Sequence, residues 1–137
     1  MAYGTTNVDI IQSSTAGTPV VFKDGNGTQI GTLCRAWVNW TGGSTPAVQA
    51  SFNVSSITRT GTGLFTVSFT NAMPDVKYSV SAAGCVTTGS LNGTLSLYGA
   101  TVSTNPLSIG SFTIKTTGNG SLGTGEDPNF AGLSVFR

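Results

Sequence analysis

Charge and histidine are what this sequence most lacks. Among 137 residues there are six Lys/Arg, five Asp/Glu and no His, so 8% of the chain is charged and the net charge is +1. A typical soluble domain carries about 25% charged residues. Without histidine, the usual general base and the commonest transition-metal ligand are missing. The basic residues, scattered from Lys23 to Arg137, form no patch, which argues against nucleic-acid binding through phosphates. No apolar stretch approaches the ~18 residues that cross a bilayer, so no membrane insertion is expected. The opening Met1-Ala2-Tyr3-Gly4-Thr5-Thr6-Asn7 has neither a basic nor an apolar segment, so no secretory signal is expected. Two cysteines, Cys34 and Cys85, are too few for a disulfide scaffold. They read as free thiols packed as small apolar residues in a reducing cytosol, with a single bridge between them as the alternative.

What replaces charge is hydroxyl and amide. The chain holds 22 Thr, 16 Ser and 9 Asn beside 19 Gly, while hydrophobic residues make up 38%. Strand-forming residues recur in short runs broken by Gly, Asn, Asp and Pro, and nothing repeats with a helical period. Val8 to Ile11 is the first run. Val20 to Leu33 reads as a hairpin around Asp24-Gly25-Asn26-Gly27, whose Gly and Asn tolerate positive φ. Cys34 to Trp40 follows, with Arg35, Trp37 and Asn39 on one face and Ala36, Val38 and Trp40 on the other. A tryptophan on each face predicts a strand at least partly covered on both sides. Val48, Ala50, Phe52 and Val54 alternate with Gln49, Ser51 and Asn53. Arg59 to Phe69 is a hairpin through Gly61-Thr62-Gly63, with Phe65, Val67 and Phe69 pointing inward. Tyr78, Val80 and Ala82 line the next strand. Weaker runs follow at Asn92–Tyr98, Thr101–Ser103 and from Ile109. Thr116 to Asn129 reads as a long loop, and Leu133 to Phe136 as a short final strand. The whole predicts one all-β domain over 1–137, an antiparallel β-sandwich or jelly-roll-like barrel of about eight to ten short strands. Residues 1–14 are a candidate attachment arm.

Candidate chemistry is sparse. Asp9, Asp24, Asp75, Glu126 and Asp127 are the only acids, and nothing in their spacing sets a catalytic pair apart. Asp24 and Asp75 sit in turn sequences, where Asp bonds its own backbone. The Asp24–Gly27 stretch is a hairpin turn rather than a calcium loop, because it lacks the later bidentate Glu. No hydroxyl has an activating base: Lys23, Lys77 and Lys115 all fall in strand-like segments. Gly61-Thr62-Gly63 and Gly118-Asn119-Gly120 are turns, not phosphate loops. Asn-X-Ser/Thr triplets begin at Asn26, Asn39, Asn53, Asn92 and Asn119, as chance predicts in so Ser/Thr-rich a chain. Trp37, Trp40, Tyr78 and Tyr98 have the chemistry to stack on sugar rings, but Trp37 and Trp40 fit core or subunit interface better. No catalytic, cofactor or metal residue is therefore expected, and no binding residue is assigned.

The segments Ile30-Gly31-Thr32-Leu33-Cys34-Arg35-Ala36-Trp37-Val38-Asn39-Trp40 and Ala50-Ser51-Phe52-Asn53-Val54-Ser55-Ser56-Ile57-Thr58 are followed by Gly61-Thr62-Gly63. Then come Phe65 to Asp75 and Tyr78-Ser79-Val80. Together they resemble a module of tail-fibre and related virion proteins of tailed bacteriophages, over Ile30 to Val80. Trp37-Val38-Asn39-Trp40-Thr41-Gly42 stands where the module usually has Trp-Val-Asn-Phe-Asn-Gly. Arg59-Thr60 replaces its usual Asp-Asn. The resemblance implies a non-enzymatic virion protein, assembled in the host cytoplasm, most simply a homotrimeric tail fibre or tail-attached subunit. Its implied partners are other tail or capsid proteins and a host-surface glycan. A head decoration protein is the alternative, and a carbohydrate-binding module a further one.

Overall fold

A computed structural model describes residues 20–43, 45–86, 94–98, 106–118 and 125–137, together with 8, 10–12, 14 and 15. Two compact units divide the chain, Met1–Leu33 and Cys34–Arg137.

The first unit holds a two-stranded antiparallel hairpin of β1 (Val21–Lys23) and β2 (Gln29–Thr32). Its turn forms because Asp24 Oδ1 accepts from the N–H groups of Asn26 at 2.9 Å and Thr28 at 2.8 Å. The Asp24 carbonyl also accepts from Gly27 N–H at 3.0 Å. Asp24 is therefore a turn residue, as its sequence context predicts. The run at Val8–Ile11 differs from expectation: Val8, Ile10 and Ile11 are exposed and outside any strand. Alternating apolar residues make a strand only where a neighbouring strand takes up their backbone groups.

The second unit is an antiparallel β-sandwich, the first of the two architectures expected. One sheet runs in the order β4 (Ala47–Phe52), β3 (Cys34–Thr41), β10 (Pro128–Phe136), β7 (Ser79–Val86). The other runs β5 (Val54–Gly61), β6 (Leu64–Phe69), β9 (Ser111–Thr117), β8 (Thr94–Leu97). No helix occurs among the described residues.

Period-two alternation explains the core. Ala36, Val38 and Trp40 from β3 and Ala131, Leu133 and Val135 from β10 face Phe65, Val67 and Phe69 from β6 and Phe112 and Ile114 from β9. Burying each large apolar side chain contributes about 1.5–3 kcal/mol. Trp40 and Phe65 meet with ring centroids 6.2 Å apart, and Phe69, Tyr78 and Phe112 form a second aromatic cluster at 5.7–6.1 Å.

Two expectations need correction. The stretch Ala47–Val54 is not one strand. Asn53 takes a left-handed conformation (φ 55°), and there the chain leaves β4 for β5 in the opposite sheet. Its side chain staples the crossing. Nδ2 donates to the carbonyls of Arg35 and Asn71, each at 3.1 Å, and Oδ1 accepts from Asn71 N–H at 2.7 Å. Val54 is buried, whereas all of β4 is exposed.

The second correction concerns the expected loop from Thr116 to Asn129. β9 reaches Thr117 and β10 begins at Pro128, so the last strand is nine residues long and central, pairing with both β3 and β7. Pro128 starts the strand, where a missing donor is tolerated. Gly132 weakens the strand pattern for a packing reason. A Cβ there would lie 2.7 Å from Asn39 Oδ1, so this glycine makes room for the amide of Asn39. The run Thr101–Ser103 lies outside the described residues, as do Asp9 and eight other positions of the 1–14 arm.

Candidate functional site

Three of the acids that sequence reasoning weighed as catalytic, Asp24, Asp75 and Asp127, are engaged by hydrogen bonds within the fold, while Asp9 lies outside the described residues. Asp127 accepts from Arg59 Nε at 3.0 Å and from Gly63 N–H at 2.8 Å. Burial opposes its ionisation, but those two hydrogen bonds prevail and hold the carboxyl below its ordinary pKa. Gly63, at φ +68°, must be glycine, since a Cβ would stand 2.5 Å from the Thr116 carbonyl oxygen. Asp127 thus pins the β5–β6 turn to the neighbouring strand ends. Asp75 pairs with Arg137 through two hydrogen bonds, Nε to Oδ1 at 2.8 Å and Nη2 to Oδ2 at 2.5 Å. That guanidinium, with the Lys77 N–H, lowers the Asp75 pKa to about 2. Glu126 adjoins Asp127, and its carbonyl accepts the hydroxyl of the buried Thr116. No group of three or more metal-ligating side chains occurs among the described residues.

The four aromatic candidates separate cleanly. Trp40 is fully buried between the sheets, and its indole N–H meets no acceptor among the described residues. Tyr78 is also core; its hydroxyl donates to the Ser108 carbonyl at 2.8 Å, and burial raises its pKa to about 12. Neither can stack on a ligand. Tyr98 is exposed beside Lys115, whose Nζ lies 5.7 Å from the ring centroid. Trp37, on the opposite side of β3 from Trp40, is half-buried on the outer face of its sheet.

That outer face follows from register. Trp37 stands opposite Phe52 on β4 and Ser134 on β10, and Ser134 stands opposite Ser81 on β7. In the next row Ala50, Asn39, Gly132 and Ala83 align. Phe130 and Phe136, near the two ends of β10, complete the face. Small residues in β10 and β7 leave a groove of about 420 Å³ lined by Trp37, Asn39, Ser81, Ala83, Phe130 and Ser134. No charged side chain lines it. The side chains of Asn39, Ser81 and Ser134 and the Trp37 indole make no hydrogen bond to any described residue. Such a surface can hold an uncharged molecule with both apolar faces and hydroxyls; it offers no acid–base pair.

Of these residues the sequence raises only Trp37 for sugar stacking, and there core or subunit interface is the favoured reading. Asn39 drew notice only as a glycosylation triplet and a strand-face residue, and Phe130 followed the supposed loop. The signal that would have found them is pairing register, which a single sequence does not carry for strands about 90 residues apart. Of the other triplet asparagines, Asn26 is in the exposed hairpin turn and Asn53 is the staple, while Asn92 and Asn119 lie outside the described residues.

Cys34 and Cys85 are free thiols. They sit opposite Phe136 and Phe130 respectively, two different strands away from one another across β10. Six residues of strand separate those positions, roughly 20 Å at 3.3 Å per residue, too far for a bridge.

Comparison with protein-family models, curated protein sequences and solved structures yields no match for this chain.

Proposed function

We propose that this protein is a non-enzymatic structural component of a tailed-phage virion, a tail fibre or tail-attached fibre-like subunit that assembles as a homotrimer and contacts the host surface. The resemblance over Ile30–Val80 supports the virion assignment, and the structural roles of Asp24, Asp75 and Asp127 support a non-catalytic one.

Self-association is carried by one observation, the apolar hairpin of the first unit. Phe22, Ile30 and Leu33 are 42%, 68% and 48% exposed in the single chain. A lone two-stranded hairpin is marginal in water, so one with exposed apolar side chains needs a partner surface to cover them. The sandwich supplies a second adhesive element. Edge strand β4, Ala-Val-Gln-Ala-Ser-Phe, is exposed along its whole length and has none of the charges or prolines that usually blunt an edge.

Sedimentation of the purified chain tests assembly: a species of three times 13.9 kDa is expected, converting to monomer on Ile30→Ser with Phe22→Ser. A stable wild-type monomer contradicts it. Immunoelectron microscopy of particles tests location. Label on tails is expected; label on heads would favour the decoration reading, and absence from purified particles would overturn both.

A further inference from the structure

We propose that the groove on the outer face of the β4-β3-β10-β7 sheet is a binding site for an uncharged saccharide, with Trp37 and Phe130 as apolar walls and Asn39, Ser81 and Ser134 as hydrogen-bonding groups. This deepens the host-contact part of the reading above, on which its biological setting rests.

Asn53, Asp127, Thr116, Ser108 and the Thr66–Thr113 pair are all engaged within the fold. In the groove an amide, two hydroxyls and an indole N–H without a described side-chain partner line one concavity together with two aromatic walls. An amide offers two donors and a two-lone-pair acceptor, and each serine one donor and two acceptor sites. Neighbouring ring hydroxyls of a sugar, each both donor and acceptor, complement that set. The C–H faces of the same ring complement aromatic walls.

Charge narrows the class. The nearest cation in sequence, Arg35, lies on the same side of β3 as Trp37 but does not line the groove. An anionic sugar would enter with no counter-charge on the lining, and an ammonium group would find no carboxylate there. The volume, about 420 Å³, falls within the roughly 300–1,000 Å³ of small-molecule sites. The floor exists because Gly132 bears no side chain and Ala83, Ser81 and Ser134 bear short ones.

The test uses the full chain on a glycan array carrying neutral and acidic bacterial surface polysaccharides, followed by titration of the best neutral one. Binding confined to neutral glycans is expected. Trp37→Ala should weaken it roughly tenfold or more, and Asn39→Ala and Ser134→Ala about fivefold each. Tyr98→Ala, on the other sheet, should bind as wild type. Asn39→Ala removes a side chain without described hydrogen bonds, so its melting temperature should stay at the wild-type value even if Trp37→Ala is destabilised. The wild-type chain failing to bind any neutral glycan overturns the proposal. So does preference for acidic ones, or full affinity in both Trp37→Ala and Asn39→Ala. Loss of the trimer in Asn39→Ala, with no glycan bound by wild type, would assign the face to a second copy instead. Antibody label on particle tails, obtained independently, keeps the virion reading standing in that event. Glycan binding by a protein absent from particles would leave the groove standing and remove the virion.

Discussion

The two sheets of the sandwich share one core yet present different chemistry outward. Behind β5-β6-β9-β8 lies a plain of hydroxyls: Ser56 and Thr58 beside Ser68 and Thr66, then Ser111 and Thr113, with the Thr66 and Thr113 hydroxyls 3.1 Å apart. Behind β4-β3-β10-β7 lie Phe52, Trp37, Phe130 and Phe136 around a floor of Gly, Ala and Ser. Solubility without charge explains the first surface, because threonine is a good strand former whose hydroxyl faces water at little cost. It does not explain the second. Phe52 is 54% exposed and Phe130 44%, large apolar side chains of a kind the hydroxyl face does not present. The same composition thus builds one face that is merely wet and another suited to contact.

The largest expected effect tests whether the inner faces are equivalent. Trp40→Ala and Phe65→Ala, one from each sheet, should each cost about 3–5 kcal/mol in urea unfolding. A marked asymmetry would mean that the sheets do not share a single core. Next is the link between them. Asn53→Ala removes three hydrogen bonds and puts a residue with a Cβ but no local hydrogen bonds at positive φ, which should cost about 2–4 kcal/mol. Asn53→Gly, which keeps the backbone conformation, should cost less; equal losses would show that the backbone conformation contributes nothing.

Acid comes third. Asp75 and Asp127 have folded pKa values below their unfolded ones, so their stabilisation is complete above about pH 4 and disappears as pH falls through the folded values, about 2 for Asp75. Thermal melts should show a falling Tm from pH 4 toward pH 2. Asp127→Asn should flatten that fall, and a wild-type Tm independent of pH over that range would contradict the pairing. The smallest effects separate the outer faces. Thr66→Val with Thr113→Val should shift stability by within about 0.5 kcal/mol and leave glycan binding intact. Asn39→Ala should be equally mild for stability but should weaken binding.

Much of this is legible in the sequence. The Arg59–Phe69 hairpin, the Asp24 turn and the two-faced Cys34–Trp40 strand follow from alternation and turn chemistry, which are local. Non-local facts are not. The alternation of Val48, Ala50, Phe52 and Val54 reads the same whether the chain runs on or folds over at Asn53, because the pattern alone does not show that Ala50 and Phe52 face outward while Val54 faces the core. Pro128, Asn129 and Gly132 look like loop residues until β10 is seen between β3 and β7, with Asn39 lying over the missing Cβ. The groove inherits that blindness, being made by three strands distant in sequence.

NMR shift mapping with a neutral surface polysaccharide tests the contrast between the two outer faces most directly. The account predicts perturbations at the Trp37 indole, the Asn39 amide, Ser81 and Ser134, with Thr66, Thr113 and Tyr98 unmoved. Perturbations centred on the threonine face, or spread evenly over both, would contradict it.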